Sequence, residues 1–221
     1  MPRLAPILAL AALLAACGGD GKGPDALPSL SAEGRAFRDL GLAGAEATVR
    51  IVYRVAAGDE TSEVIVAQRP PQRSFRVTEG QTSLIVATEA GDVVTCGQEE
   101  CFRIPGLGSS IAQAGAAILG PLAQGFDMFH GEQALEGYAP APGRTIAGRE
   151  ATCGTWKPEF SPDGFTMCLD AKTGIALLYE IASGNIDVTL EATEVGEPGD
   201  DDFEPLFPVT DLPTGYVPPS N

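Results

Sequence analysis

The sequence predicts an α+β domain in which a curled antiparallel sheet is covered on its concave face by helices. Short runs of alternating apolar and polar residues recur about every ten residues, the pattern of an antiparallel meander with one solvated face. Midway through the chain, Ile104–Phe126 carries no charged residue and has apolar residues at helical spacing. A soluble domain rarely exposes a large apolar patch, so such a helix is expected to cover the apolar face of the sheet.

The first elements are a short helix and a strand. Ser31 is a plausible N-cap for a helix over Leu30–Leu42. The strand over Thr48–Val55 follows, with alternate apolar residues on one face and arginines on the other. Its apolar face carries Val49, Ile51, Tyr53 and Val55, and a later strand adds Phe75 and Val77. Further strands are expected over residues 63–68, 74–78, 83–88, 93–96, 102–104, 144–155, 164–170, 174–182 and 186–195.

The uncharged central segment has two readings, a transmembrane helix or a helix lying on the sheet. Its glycines and prolines disfavour a membrane span. A span here would also leave one of the two flanking cysteine pairs in the reducing cytoplasm. We therefore expect a helix packed on the sheet and broken at Gly120–Pro121, followed by a second short helix over Glu132–Tyr138.

The N-terminus has the layout of a secretory signal. One basic residue, Arg3, precedes a short apolar run that ends in Leu14-Ala15-Ala16-Cys17. The run is too short to span a bilayer as a helix. Its end resembles the bacterial lipobox, which implies cleavage before Cys17 and lipidation of its thiol. Residues 1–16 are then a signal peptide, 17–28 the lipidated cysteine and a flexible tether, 29–207 the folded domain, and 208–221 a Pro-rich tail.

The other four cysteines, Cys96, Cys101, Cys153 and Cys168, read as two disulfides in an exported chain. Three connectivities are open, and pairing of sequence neighbours is the simplest, with Cys96 joined to Cys101 and Cys153 to Cys168. A zinc site built from these thiols and His130 is the rival interpretation, but the spacings fit no common zinc pattern.

The chain is strongly acidic, with a formal net charge of −16. Such a charge repels nucleic acid and anionic lipid headgroups alike, so no nucleic-acid partner is expected. Attachment to the membrane must come from the acyl chains at Cys17. The location expected is the bacterial cell envelope, on the extracytoplasmic side of a membrane. The sequence does not identify a protein partner.

Signals for catalysis and cofactors are weak. The only histidine, His130, lacks the spacing of a zinc-peptidase helix, and no serine lies in a nucleophile elbow. Asp200–Asp202 with Glu204 could offer oxygen ligands to calcium, but an acidic run in a Pro/Gly-rich tail is more typical of a solvated linker. The tail from Gly196 onward is expected to be ordered only where Phe203 and Phe207 dock. We expect no enzyme, no cofactor and no metal.

The arrangement resembles the periplasmic outer-membrane lipoprotein carrier LolA and the mycobacterial LprG-type lipoproteins. The elements that carry the resemblance are the strand Val49–Val55 after an N-terminal helix, the helical insert, and a closing meander with Thr145–Gly148, Cys168–Asp170 and Thr173-Gly174. The resemblance implies an unclosed β-barrel whose helices cover the concave side, with a lipid-binding cavity between them.

On this reading the protein binds or carries a hydrophobic ligand, an acyl chain or lipid. The residues expected to line the cavity are Val49, Ile51, Tyr53, Val55, Phe75 and Val77 from the strands, and Ile111, Ile118, Leu119 and Leu122 from the helix. The alternative is a structural or interaction lipoprotein with a filled core and no cavity.

Overall fold

A computed structural model describes residues 30–77, 82–86, 92–97, 99–104, 135, 137–157, 163–183 and 186–211. Within them lie one α-helix, twelve strands and one short 3₁₀ helix. Helix α1 spans Ala32–Ala45 and the 3₁₀ helix spans Asp200–Phe203. The strands are β1 Val49–Ala57, β2 Glu60–Arg69, β3 Gln72–Val77, β4 Thr82–Val86, β5 Val93–Gly97, β6 Glu100–Ile104, β7 Ala139–Ile146, β8 Arg149–Trp156, β9 Gly164–Asp170, β10 Ala176–Ser183, β11 Ile186–Gly196 and β12 Val209–Asp211.

All twelve strands belong to one sheet, in the order β12-β6-β5-β4-β3-β2-β1-β11-β10-β9-β8-β7. Two antiparallel meanders, β1–β6 and β7–β11, are joined where β1 pairs with β11. Strand β12 is parallel to β6 and lies within the segment expected to be a tail. The end strands β7 and β12 do not pair with each other, so the curled sheet stays open. The expected half-barrel is confirmed.

Helix α1 begins where the sequence predicts. The Ser31 hydroxyl accepts the Gly34 backbone N–H at 3.0 Å, which satisfies a donor that the first helical turn leaves free. The helix runs three residues beyond the expected end at Leu42 and buries Phe37 and three glycines against the sheet. We call the face of the sheet under α1 the inner face, and the opposite one the outer face.

The single strand expected over residues 144–155 is wrong: the structure has two strands there, β7 and β8, joined by Ala147-Gly148. Both turn residues have positive φ, 48° at Ala147 and 73° at Gly148, as two-residue hairpin turns require. Alanine rarely adopts this conformation, and Ala147-Gly148 differs from the Asn-Gly or Asp-Gly sequence that usually marks such a turn. The sequence pattern therefore gives no sign of the turn and predicts the two strands as one.

An aromatic cluster lies between α1 and the inner face. The Phe37 ring is 5.2 Å from that of Tyr138 and 6.2 Å from that of Trp156, measured between centroids. Trp156 in turn contacts Phe165 at 4.7 Å, and Phe165 lies 6.3 Å from Tyr179. This chain of rings joins α1 to β8, β9 and β10, and makes the helix part of the main hydrophobic core.

The structure pairs Cys96 with Cys101 and Cys153 with Cys168, the simplest of the three connectivities. Each disulfide joins directly opposed residues of neighbouring antiparallel strands, with Cα atoms 4.1 and 4.0 Å apart. The hairpin loop at Cys96–Cys101 is tighter than expected, since Gly97 also pairs with Glu100. Two disulfides are typical of a protein that folds outside the reducing cytoplasm.

The acidic segment expected to be a solvated linker is instead docked on the sheet. We call residues 197–211 the C-terminal strap. Its 3₁₀ helix meets arginines of the outer face: Asp202 Oδ1 lies 3.3 Å from Arg50 Nε, and Asp200 Oδ1 lies 2.9 Å from Arg69 Nη1. The neighbouring Phe203 ring packs against the Arg69 guanidinium, with 5.1 Å between the ring centroid and Arg69 Cζ. Charge complementarity across the fold explains why this acidic run is ordered.

Beyond the 3₁₀ helix, the strap covers the disulfide of the β5–β6 hairpin. Leu206, Phe207 and Val209 pack against a small apolar cluster that contains Cys96 and Cys101. Strand β12 then pairs with β6. Phe207 thus docks as expected, but the ordered segment is longer than the sequence indicated.

Several expected elements lie outside the described residues. They are the central helix, the whole N-terminal region through residue 29, and the helix over 132–138 apart from Leu135, Gly137 and Tyr138. Among the residues that are described, no helix is long and apolar enough to cross a membrane.

Candidate functional site

The candidate site is an apolar pocket of about 20 Å³ on the inner face, next to the C-terminal end of α1. Its volume is close to that of a single water-sized group. Strands β1 and β2 supply one wall, and the start of β10 supplies the other. The lining residues are Gly44, Val49, Ile51, Tyr53, Val66, Gln68, Ile175, Ala176 and Tyr179.

The period-two alternation of β1 places Val49, Ile51 and Tyr53 together in this wall. Their cross-strand partners on β2 are Gln68, Val66 and Val64, and the first two also line the pocket. Directly opposed residues of an antiparallel pair share a face. The register of β1 against β2 therefore decides which residues form this wall.

The floor of the pocket depends on a contact between two glycines. A side chain on Gly44, near the end of α1, would overlap the backbone of Gly174, and one on Gly174 would overlap the carbonyl oxygen of Leu40. Gly174 also has φ +76°, a conformation that side chains disfavour. Glycine at both positions lets the helix backbone lie directly on the turn that leads into Ile175 and Ala176.

Asp170 fixes the shape of that turn. One carboxylate oxygen accepts the backbone N–H groups of Lys172 and Thr173 at 2.9 and 2.7 Å and the Thr173 hydroxyl at 2.9 Å. The other oxygen accepts from Arg149 Nη1 at 3.0 Å. Burial alone would raise the Asp170 pKa, but Arg149 and the turn donors outweigh it and hold the pKa below its usual value.

We expect Asp170→Asn to lose about 2 kcal/mol of stability at neutral pH, because charge-assisted hydrogen bonds weaken when the acceptor is neutral. The pKa of Asp170 is lower in the folded than in the unfolded state. Its contribution is therefore complete above the unfolded value near pH 4 and disappears as the pH falls through the folded pKa. Urea unfolding of both proteins at pH 7 and at about pH 3 measures this. A stability difference that stays equal at both pH values would contradict it.

Two tyrosines lie at the far wall of the pocket. The Tyr53 hydroxyl donates to the Ala176 carbonyl oxygen at 2.6 Å, which ties β1 to the start of β10. The Tyr53 and Tyr179 rings are 6.3 Å apart. Burial raises the pKa of both phenols well above the ordinary value, so both are neutral hydroxyl groups in the physiological range.

Gln68 is the polar residue of the wall and is 1% exposed. Its Nε2 donates to the carbonyl oxygens of Gly44 at 2.8 Å and Ala47 at 2.6 Å, and so caps the end of α1. Its Oε1 is buried and accepts no hydrogen bond from any residue in the described ranges.

The structure brings together part of the predicted cavity lining. Val49, Ile51 and Tyr53 line the pocket. Val77 lies in the main hydrophobic core and Val55 and Phe75 pack against that core, but these three residues do not line the pocket. Ile111, Ile118, Leu119, Leu122 and Cys17 lie outside the described residues. For all of these residues a role in lipid binding or anchoring stays a prediction.

Sequence reasoning missed the other six lining residues, which are Gly44, Val66, Gln68, Ile175, Ala176 and Tyr179. Val66 and Gln68 could be found from the β1–β2 hairpin, because the turn at Gly58-Asp59 sets them opposite Ile51 and Val49. The residues of β10 depend on the long-range pairing of β1 with β11 and of β11 with β10, for which the sequence holds no local signal.

Neither disulfide lies on the face that carries the pocket. Cys168 follows Met167, whose cross-strand partner is Tyr179 of the inner face, so Cys168 and Cys153 belong to the outer side. Cys96 and Cys101 contact the strap on the outer face. The disulfides therefore brace the sheet without occupying the concave side. Within the described ranges, His, Cys, Asp and Glu form no cluster that could hold a metal ion.

The geometry defines a half-barrel protein with an apolar inner face. Neither a family model nor a curated protein matches the sequence. Among solved structures the chain is similar to MucB, with a TM-score of 0.57 and 16% identity over 79% of this chain and 63% of that one. It thus spans less than two thirds of the MucB chain.

Two further structures have the same fold. The Pseudomonas aeruginosa MucA/MucB complex matches with a TM-score of 0.53 and 17% identity, over 83% of this chain and 67% of that one. An uncharacterized conserved protein from Thermus thermophilus matches with a TM-score of 0.53 and 6% identity, over 81% of this chain and 99% of that one. At these identities the likeness shows the fold alone.

Proposed function

We propose that this protein is a membrane-anchored lipoprotein of the bacterial envelope that binds the acyl part of a hydrophobic ligand on the inner face of its half-barrel. The observation that carries the proposal is the pocket itself: three of the six strand residues predicted to line a cavity, Val49, Ile51 and Tyr53, line it. The two disulfides fit a protein that works outside the cytoplasm.

The pocket holds the end of the ligand rather than its whole length, because about 20 Å³ accommodates one small group. The rest of the chain runs away from α1, whose end is fixed by the Gly44–Gly174 contact. From Val66 the inner face continues to Phe75, its cross-strand partner, and both side chains are only half-buried. Burial of hydrocarbon there contributes about 25 cal/mol per Å².

Purification of the protein without detergent, followed by organic extraction and mass spectrometry, tests the proposal. We expect an acyl-chain compound in the extract of the parent protein and several-fold less from Val66→Phe, because the larger side chain fills the path of the ligand. Ile65→Phe is the matched control: it adds the same ring to the outer face of the same strand and should leave the extract unchanged. An empty extract from folded parent protein, or equal extracts from both variants, would overturn ligand binding at this face.

The anchor is tested separately. Cys17→Ser should abolish incorporation of labelled palmitate and move the protein from the detergent phase to the aqueous phase in Triton X-114 partitioning. The other four cysteines are paired with each other, so they offer no second thiol. Unchanged labelling of Cys17→Ser would refute the lipobox interpretation.

A second candidate function is that of an interaction lipoprotein with a filled core. Two observations favour it: the aromatic cluster under α1 is closely packed, and MucB, which has the same fold, has been crystallised in complex with MucA. An empty extract together with a specific protein partner captured by the anchored parent protein would support this candidate over the first.

A further inference from the structure

Gln68, one of the residues that line the pocket, carries a buried amide oxygen with no donor in the described part of the chain. Gln68 is almost fully buried, and its Oε1 accepts no hydrogen bond from the residues that the structure describes. A buried polar atom left unsatisfied costs about 1–3 kcal/mol, so an orphan beside a cavity calls for a partner that these residues do not supply.

The orientation of this amide is fixed by its other half. Nε2 donates to two backbone carbonyl oxygens, those of Gly44 and Ala47. A flipped amide would set Oε1 against these two acceptors, where neither oxygen has a proton to offer. Gln68 therefore presents an acceptor, and not a donor, as its free group.

Neither tyrosine hydroxyl of the lining, that of Tyr53 or that of Tyr179, satisfies this acceptor. Tyr53 also lines the pocket, but its proton is directed at the Ala176 carbonyl oxygen. The remaining lining is mainly apolar side chains, among them Val49, Ile51 and Val66. A lone water needs two to four polar partners and would be poorly held there. A hydroxyl joined to hydrocarbon would satisfy Oε1 and also match the apolar walls.

We propose that Gln68 Oε1 selects a neutral lipid whose polar end is a hydrogen-bond donor, of the class of acylated lipids with a free hydroxyl, for which a fatty alcohol is the simplest probe. The inference rests on the proposed function and gives its ligand class. An ionised carboxylate or phosphate is disfavoured at this end, since it would face an acceptor oxygen. Arg73, the cation directly opposite Gln68 on β3, does not line the pocket and donates from Nη2 to the Ala45 carbonyl oxygen. An ether or a hydrocarbon offers no proton to Oε1.

The test is a binding series on the full chain carrying Cys17→Ser, with radiolabelled 1-hexadecanol, 1-methoxyhexadecane, hexadecane and palmitate below their aggregation concentrations. We expect 1-hexadecanol to bind about tenfold more tightly than the ether, the fold-change that one hydrogen bond of about 1.4 kcal/mol gives. At about pH 8, where carboxyl groups are ionised, palmitate should bind more weakly than the alcohol.

A matched pair of variants assigns the preference to one residue. Gln68→Met keeps an unbranched side chain of similar size but removes Oε1, and should bring the alcohol-to-ether ratio close to one. Gln72→Met makes the same change on the next strand at a residue that does not line the pocket, and should keep the ratio at about ten. If Gln68→Met does not fold, the ligand series on the parent chain still tests whether the pocket prefers a hydroxyl donor.

The outcomes separate the two proposals. If hexadecane, the ether and the alcohol bind with equal affinity, the ligand function stands and the role of Gln68 is refuted. Tighter binding of palmitate than of the alcohol refutes it as well. If none of the four compounds binds to the folded protein, the proposed function itself fails.

Discussion

Gly174→Ala is expected to lower the free energy of unfolding by about 3 kcal/mol or more. The added Cβ would overlap the Leu40 carbonyl oxygen, so α1 must move away from the Asp170–Gly174 turn. Such overpacking typically costs about 1–3 kcal/mol. The positive φ of 76° adds about 1–2 kcal/mol for a residue with a side chain. Urea denaturation at neutral pH measures the change.

Two other glycines separate these contributions. Gly148 has almost the same φ, 73°, but a Cβ there would meet nothing within 4 Å, so Gly148→Ala should lose only about 1 kcal/mol. Gly196 has neither a positive φ nor a neighbour within 4 Å, and its alanine variant should change stability by less than about 0.5 kcal/mol. Equal losses for Gly174→Ala and Gly148→Ala would show that α1 does not rest on this turn.

Phe37→Ala should lose about 3–5 kcal/mol, the usual result of removing a buried aromatic ring. The Phe37 side chain is 2% exposed and contacts Tyr138 and Trp156, so its loss leaves a cavity between α1 and the sheet. The near-ultraviolet circular dichroism of the cluster should weaken as well. This measurement reports directly on the packing of the rings.

Phe203→Ala is the matched control, because its ring lies half-buried on the outer face against Arg69. A cation–π contact of this kind contributes about 0.5–1 kcal/mol, and the expected loss is about 1 kcal/mol. If both variants lost the same amount, helix α1 would be an accessory of the sheet rather than part of its core.

Local patterns predicted much of the fold. The alternation in β1 placed Val49, Ile51 and Tyr53 on one face, and the structure buries all three. Ser31 marked the start of α1 because N-capping is a contact between residues three apart. The cysteine pairs followed from hairpin geometry, in which opposed Cα atoms are already within reach of a disulfide.

Long-range features could not be predicted in this way. The strap docks because Asp202 meets Arg50, a residue 152 positions away, and no local pattern records that pairing. The orphan oxygen of Gln68 depends on where α1 ends over β2. Within the β2 pattern, Gln68 reads as an ordinary polar residue at the end of a strand.

The two end strands of the open sheet affect whether copies of the protein can join edge to edge. An unpaired edge is a template on which a second molecule can add its own strand and begin to polymerise. At one end, Pro140 and Pro142 of β7 lack the N–H groups that such pairing needs, and the ladder is irregular between Ala141 and Arg144. At the other end, β12 is only three residues long. These edges favour single molecules over fibrils, even at high local concentration of the protein.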